Sequence, residues 1–111
     1  TDRISRAIKK DFFLKGAFSE SEIAMARKRN TDSFLAGNFA AKEAFVKALG
    51  LGFRGIKLKD FEVLRDEYGK PFIRISNHSN IHLKDINEKN IYVSISNTKS
   101  VAVAMVVIEV D

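Results

Sequence analysis

The segment FLAGNFAAKEAFVKALGLG, residues 34–52, constrains the fold most, because it predicts one long helix with a defined end. Its apolar side chains recur at helical spacing and cover a broad arc, which is typical of a helix packed on a core. Asn30–Ser33 supplies several possible N-cap residues, and Gly50 and Gly52 supply the stop. The sequence therefore predicts a helix over residues 32–49.

Two charged residues of this helix, Glu43 and Lys47, fall on a narrow strip with Ala36 and Ala40. Their i, i+4 spacing fits an ordinary helix salt bridge, worth about 0.2–0.5 kcal/mol. Alternatively, the carboxylate is a ligand for a hard cation such as Mg²⁺, and Lys47 faces the same phosphate. Lys42 falls among apolar positions, so we expect its stem to lie along them while the ammonium reaches solvent.

The remaining sequence predicts helices first and strands afterwards. Residues 2–14 read as a short amphipathic helix with a basic side, and Ser19 with Glu22 forms a capping box for a helix over 20–29. Four segments predict strands: 59–66, 70–76, 91–96 and 101–110. The last is apolar on both sides, so it is central in a sheet, or a helix covers one face and another subunit the other. The plan is an α+β fold, with N-terminal helices packed on an antiparallel sheet in a single domain.

Composition narrows the function classes. The chain has 111 residues, a formal net charge of +5 and no cysteine, which excludes disulfides and thiolate metal sites. The surplus of cations favours an acidic or phosphate-rich partner, but no nucleic-acid motif accompanies it. The longest apolar run, residues 101–108, is too short to span a bilayer, and no signal peptide is visible, so we expect a cytosolic protein.

Five segments in register resemble the holo-[acyl-carrier-protein] synthase family, the small trimeric phosphopantetheinyl transferases. The helix matches the pattern F-A-A-K-E-A-x-x-K-A-x-G-x-G from Phe39 onward. The other four segments are DRI (2–4), FSESEI (18–23), YGKPFI (68–73) and IYVSISNTKSVAVAMVVIE (91–109). The helix motif alone is weakly specific, whereas five matches in order over nearly the whole chain are strongly specific.

The resemblance implies transfer of 4′-phosphopantetheine from coenzyme A to a serine of apo-acyl carrier protein, with 3′,5′-ADP released, in fatty acid biosynthesis. It implies that Glu43 binds Mg²⁺ and that Glu43 and Lys47 are the catalytic residues. The residues it places at coenzyme A are Arg29, Lys42, Lys47, Gly50, Gly52, Lys70, Pro71, Asn97 and Thr98.

The resemblance also implies a homotrimer with its sites between subunits, and the apolar last strand in the trimer interior. An acidic carrier protein is expected to dock on the basic first helix. The docking residues are Arg3, Arg6, Lys10 and Phe13. Complementary charge of this kind accelerates encounter and is weakened by salt.

Three departures from the family pattern motivate a second hypothesis. Asn97 stands where the family usually has histidine, and Asn38 where it usually has arginine. The family's opening strand is not found, and we expect its metal-ligand aspartate six residues before Arg3, upstream of Thr1. The alternative function is therefore a catalytically impaired family member that acts as a binding module for an acidic protein or a nucleotide.

Overall fold

The computed structural model describes residues 16–50, 56–76, 86–98 and 100–109. The helix predicted for residues 2–14 lies outside these ranges. Within them, the chain forms two α-helices, α1 (Glu20–Arg27) and α2 (Thr31–Leu49), and four strands, β1 (Phe61–Arg65), β2 (Pro71–Ile75), β3 (Ile91–Asn97) and β4 (Ala102–Ile108). Helices precede strands, as the sequence predicts.

Helix α1 begins with the predicted capping box. The Ser19 hydroxyl accepts a hydrogen bond from the Glu22 backbone N–H at 3.2 Å, and Glu22 Oε1 accepts one from the Ser19 N–H at 3.1 Å. These bonds satisfy two backbone donors that have no partner within the helix. The helix ends at Arg27, two residues earlier than predicted.

Helix α2 confirms the long helix of the sequence analysis and starts one residue earlier, at Thr31. Its N-cap is Asn30, whose side chain accepts a hydrogen bond from the Ser33 N–H at 3.4 Å. Its C-cap is Gly50, which adopts a left-handed conformation with φ of 73°. Glycine takes this conformation without the strain that a Cβ would bring, so the helix stops at Gly50.

The strands pair as two antiparallel hairpins, β1 with β2 and β3 with β4. In the first, Phe61 lies opposite Ile75, and a tight turn closes the hairpin with Gly69 at φ of 82°. In the second, Ile91 lies opposite Ile108, and Thr98 donates its backbone N–H to the Val101 carbonyl at 2.8 Å. All four predicted strands are confirmed; β1, β2 and β4 have shorter ends than predicted, and β3 extends one residue further, to Asn97.

The inner side of α2 packs on both hairpins and forms the main core. That core holds the following buried side chains: Ala41, Phe45, Val46, Ile56, Phe61, Val63, Ile73 and Ile91. Phe45 and Phe61 meet edge to face, with ring centroids 4.7 Å apart. A second cluster joins α1 to the first half of α2: Ala17, Phe18, Ala26, Phe34 and Leu35.

The β3–β4 hairpin has an inner face toward α2 and an outer face that the described residues leave open. Alternate residues of β4, Ala104, Val106 and Ile108, pack against the core. Large apolar side chains occupy the outer face: Tyr92, Val101, Val103, Met105 and Val107. Coverage of one face of β4 by a helix is therefore confirmed, and coverage of the other by a subunit stays a prediction. Neither described helix is long and apolar enough to cross a membrane.

Candidate functional site

Glu43 and Lys47 lie on the strip of α2 that the sequence analysis singled out. Glu43 is half-buried, and Lys47 is exposed. Despite their i, i+4 spacing they form no ion pair, since the ion pairs among the described residues are Glu22–Lys42 and Glu62–Arg74. The structure therefore does not contain the helix salt bridge between Glu43 and Lys47. A carboxylate and an ammonium remain on one accessible strip, beside the small side chains of Ala36 and Ala40.

Lys42, the neighbour of Glu43, points into the protein instead of toward solvent. Its ammonium is fully buried and lies 2.6 Å from Glu22 Oε1. It also donates to three backbone carbonyls, those of Ala17 at 3.0 Å, Leu58 at 2.6 Å and Phe61 at 2.9 Å. The expectation that Lys42 reaches solvent or contacts coenzyme A is therefore corrected, because its donors are occupied by the protein itself.

Glu22 and Asn38 complete a buried polar cluster with Lys42. Asn38 donates its side-chain N–H groups to Glu22 Oε2 at 2.9 Å and to the Val63 carbonyl at 2.8 Å. The Val63 N–H in turn donates to Glu22 Oε2 at 3.3 Å. Burial raises the pKa of Glu22 and lowers the pKa of Lys42, and their mutual attraction opposes both shifts.

Sequence reasoning missed this cluster because each member has a local explanation. Glu22 is the N3 residue of a capping box, and that role predicts an exposed side chain. Its Oε1 atom does cap the helix, whereas its Oε2 atom accepts hydrogen bonds from Asn38 and Val63. The one available signal was Lys42, a cation among apolar positions of α2, which has either to reach solvent or to find a buried partner.

Asn97 lies at the other end of the same helix. Its Nδ2 donates to the Ser33 carbonyl at 3.0 Å, which ties the end of β3 to the first turn of α2. Helix and strand approach so closely here that a Cβ on Gly37 would lie 2.9 Å from Ile95 Cγ2 and 3.0 Å from Asn97 Oδ1. Glycine at this position is therefore a packing requirement.

A groove of about 700 Å³ opens beside Asn97 and Thr98. Its wall is built from the start of α2 and from the β3–β4 turn: Asn30, Asp32, Ser33, Ala36, Asn97, Thr98, Ser100, Val101 and Ala102. Ala36 joins the groove to the strip that bears Glu43, two helical turns further along. The groove is polar at the helix N-terminus, where backbone N–H groups and the helix dipole favour anions.

The other predicted site residues lie in different parts of the chain. Arg29 lies two residues before α2, Lys70 lies in the β1–β2 turn, and Pro71 begins β2. Pro71 is paired with Arg65, the last residue of β1, which contacts Phe34 near the start of α2. Gly50 closes the opposite end of the helix. Gly52 and the docking residues Arg3, Arg6, Lys10 and Phe13 lie outside the described part of the chain.

Comparison with known proteins places these features in a family context. The model of the 4′-phosphopantetheinyl transferase superfamily, ACPS, matches residues 1–106. A holo-[acyl-carrier-protein] synthase of Clostridium botulinum (strain Eklund 17B / Type B) is 46% identical over 112 residues, covering 98% of this chain and 89% of that protein.

Solved structures of similar proteins agree. The Helicobacter pylori holo-[acyl-carrier-protein] synthase in complex with coenzyme A is 29% identical, with a TM-score of 0.76 over 97% of this chain and 92% of that chain. A Bacillus anthracis holo-(acyl-carrier-protein) synthase in complex with CoA (3′,5′-ADP) is 33% identical, with a TM-score of 0.73 over 99% of this chain and 89% of that chain. The fold class predicted from the sequence is that of these structures.

Proposed function

The chain belongs to the 4′-phosphopantetheinyl transferase superfamily, and we propose that it acts as a holo-[acyl-carrier-protein] synthase. It transfers 4′-phosphopantetheine from coenzyme A to a serine of apo-acyl carrier protein and releases 3′,5′-ADP. The serine oxygen forms a new P–O bond, and the P–O bond to the nucleotide breaks. The observation that carries the proposal is that Glu43 and Lys47, on the accessible strip of α2, form no ion pair with any described residue, in a chain whose likeness to these enzymes spans nearly its whole length.

We assign Glu43 as the residue that would hold a Mg²⁺ ion. The described residues contain no cluster of three or more potential metal ligands. A single half-buried carboxylate nevertheless fits Mg²⁺, which binds one or two carboxylates together with substrate phosphates and keeps several waters. When bound, the ion would neutralise the charge of the diphosphate during transfer.

Lys47 contributes a second positive charge one turn after Glu43. An exposed ammonium that is not paired with the adjacent carboxylate can lie against phosphate oxygens. Charge that develops on the leaving phosphate is stabilised by a cation already held in place by the helix. We therefore assign Lys47 to the phosphate of the leaving 3′,5′-ADP and Glu43 to the metal.

The separation of Asn97 from Glu43 supports an active site shared between subunits. Ser33, the partner of Asn97, lies about 15 Å from Glu43 along α2, at about 1.5 Å per residue. One chain therefore keeps Asn97 apart from Glu43, and a neighbouring subunit can bring them together. We propose a homotrimer, and the exposed apolar face of β3–β4, with Val103 and Met105 at its centre, supports it.

The proposed partner is an acidic acyl carrier protein, and the proposed setting is cytoplasmic fatty acid biosynthesis. Its docking site is assigned to Arg3, Arg6, Lys10 and Phe13, in the segment for which the sequence predicts a helix over residues 2–14. The net charge of +5 supports an acidic partner. Turnover at subsaturating carrier is expected to fall with added salt, because screening weakens attraction between exposed charges.

The test is a transfer assay on the full chain with apo-acyl carrier protein, coenzyme A and Mg²⁺. Mass spectrometry is expected to show one added phosphopantetheine on the carrier. Glu43→Gln keeps the shape but removes the charge, so kcat is expected to fall about 100-fold or more. Glu67→Gln, an exposed carboxylate in the β1–β2 turn, is the matched control and is expected to leave kcat unchanged. A wild-type kcat in Glu43→Gln would contradict the assignment of Glu43 to the metal.

One observation keeps the binding-module function as a second candidate. Asn97 donates its amide N–H to the Ser33 carbonyl, and an amide neither takes up nor releases a proton near neutral pH. The groove then retains its shape without a titratable group from this residue. Under this alternative, calorimetry would register binding of coenzyme A or carrier while the transfer assay yields no modified carrier.

A further inference from the structure

The buried ammonium of Lys42 is held from several sides at once. Besides the Glu22 carboxylate and three backbone carbonyls, it faces two aromatic rings. Its Nζ atom lies 5.6 Å from the centre of the Phe18 ring and 5.1 Å from that of Phe61, both within the range of cation–π attraction. These partners belong to α1, to the residues just before α1, and to the chain entering β1, so one side chain joins α2 to three other parts of the fold.

The carboxylate that pairs with Lys42 is itself held in place. Glu22 Oε2 accepts from the Asn38 side chain at 2.9 Å and from the Val63 N–H at 3.3 Å, while Oε1 accepts from the Ser19 N–H at 3.1 Å. The Val63 N–H is fixed by its strand, and the Ser19 N–H by the start of α1. Glu22 therefore cannot turn to follow a displaced lysine without breaking these bonds, so the position of the Lys42 ammonium is fixed in direction as well as in distance.

The bonds of Lys42 restrict how α2 can rotate about its axis and slide along it. The core side chains beside it on the helix, Ala41, Phe45 and Val46, are apolar, and apolar contacts have no preferred direction. Hydrogen bonds weaken steeply as their angles worsen, so those of Lys42 oppose small rotations that the apolar contacts permit. Glu43 is the next residue, about 100° further round the helix and about 1.5 Å along it. Its direction is therefore set by the part of α2 that is held most firmly.

We propose that Lys42 is a positioning residue for Glu43: its buried bonds set the direction in which the Glu43 side chain leaves α2. The inference rests on the proposed function, in which Glu43 holds Mg²⁺. This ion demands nearly octahedral geometry with ligands at about 2.0–2.1 Å, so a displaced carboxylate binds it poorly. Loss of a residue that orients a metal ligand typically costs about 10- to 100-fold in metal affinity or activity, and a misplacement of about 1 Å can cost about 100-fold in rate.

The experiment measures whether kcat follows the stability of the fold or the bonds of Lys42. Lys42→Met in the full chain is expected to lower kcat about tenfold or more, at a temperature at which circular dichroism shows it folded. Adding Glu22→Gln keeps the capping box and removes the unpaired buried charge, so the double variant is expected to regain stability. It is not expected to regain kcat, because methionine donates no hydrogen bond to the carbonyls. A purely structural role predicts that kcat recovers together with stability.

A matched control lowers stability without touching the bonds of Lys42. Ile73, in the middle of β2, is 2% exposed and belongs to the main core. Ile73→Ala leaves a cavity there, which destabilises a fold about as much as loss of one partner of a buried ion pair. Its kcat is expected to stay within about twofold of the wild-type value, because the partners of Lys42 are all retained.

A binding measurement separates this inference from the proposed reaction. Calorimetry with Mg²⁺ titrated into the full chain and coenzyme A, without carrier protein, needs no turnover. The Kd for Mg²⁺ is expected to rise about tenfold in Lys42→Met and in the double variant, and to stay unchanged in Ile73→Ala. A wild-type kcat or a wild-type Mg²⁺ affinity in the double variant, or equal losses in Ile73→Ala, would overturn the proposal. A wild type that binds Mg²⁺ more tightly than the Lys42 variants but transfers nothing would count against the reaction only, whereas a wild type that binds no Mg²⁺ would overturn both.

Discussion

The Glu22–Lys42 pair and the outer face of the β3–β4 hairpin depart from the usual distribution of side chains in opposite directions. The first buries a carboxylate and an ammonium, both fully inaccessible to solvent. The second exposes apolar side chains, including Val103 at 60% and Met105 at 66% of their accessible surface. Charged groups are rarely buried without partners, and large apolar patches rarely stay exposed.

The difference lies in where each region finds its partners. The buried pair is completed within the chain, since Lys42 has a carboxylate and three carbonyl acceptors and Glu22 also accepts from Asn38. The apolar face has no counterpart among the described residues. We infer that the first region supports the fold of the single chain and that the second supports assembly. The predictions below separate these two roles.

The largest effect on stability is expected from Lys42→Met. This change leaves the Glu22 carboxylate buried without its counter-ion, which costs about 3–5 kcal/mol in the free energy of unfolding. Urea unfolding measures the loss, and Lys47→Met, on the exposed strip of the same helix, is expected to change it by less than about 0.5 kcal/mol. Equal losses in the two variants would mean that the pair contributes nothing.

Adding Glu22→Gln to Lys42→Met sharpens this test. The double variant no longer has a buried charge, so its loss is expected to be smaller than the sum of the two single losses. Strict additivity in the double-mutant cycle would contradict a direct interaction between the two side chains.

A smaller effect on the folded chain, with a large effect on assembly, is expected from Met105→Asp. The side chain is mostly exposed in the single chain, so α2 and the hairpins are expected to keep their far-UV circular dichroism. A carboxylate at the centre of an apolar interface would have to be desolvated, so the proposed trimer is expected to dissociate. Light scattering after size exclusion gives the mass, and Tyr68→Asp, an exposed aromatic of the β1–β2 turn, is the control. An unchanged mass in Met105→Asp would place the interface elsewhere.

The sequence predicted what depends on local physics. The capping box at Ser19 set the start of α1, the glycine at position 50 set the end of α2, and alternation along residues 91–96 set the inner face of β3. These signals act within a few residues, so they can be read without tertiary information.

The fate of Lys42 depended on tertiary contacts and was predicted wrongly. Its carbonyl acceptors belong to Ala17, Leu58 and Phe61, which are separated from it by 25, 16 and 19 positions. A cation among apolar positions can reach solvent or find a buried partner, and periodicity does not distinguish the two. The resemblance supplied the expected roles of Glu43 and Lys47, but it also assigned the adjacent Lys42 to the site. In the structure, Lys42 is buried and pairs with Glu22.

The smallest effect is expected at a charged pair that lies on the surface of the first hairpin, in contrast with the buried pair beneath it. Arg74 donates through Nε and Nη2 to Glu62 Oε2, at 3.0 and 2.9 Å, and its side chain is 53% exposed. Because solvent screens such a pair, Arg74→Ala is expected to cost only about 0.2–1 kcal/mol in the free energy of unfolding.

The pH dependence of that loss gives the sign of the interaction. Burial raises the pKa of Glu62, but hydrogen bonds from Ser19 and Arg74 outweigh it, and the net shift is downward from the usual 4.5. A carboxyl whose pKa is lower in the folded state stabilises the fold above its unfolded pKa, and this contribution disappears as the pH falls through the folded pKa. Urea unfolding of wild type and Arg74→Ala at pH 7 and near pH 3 is therefore expected to show the gap between them narrowing in acid. A gap that widens in acid would show that Arg74 acts on the fold through something other than the Glu62 carboxylate.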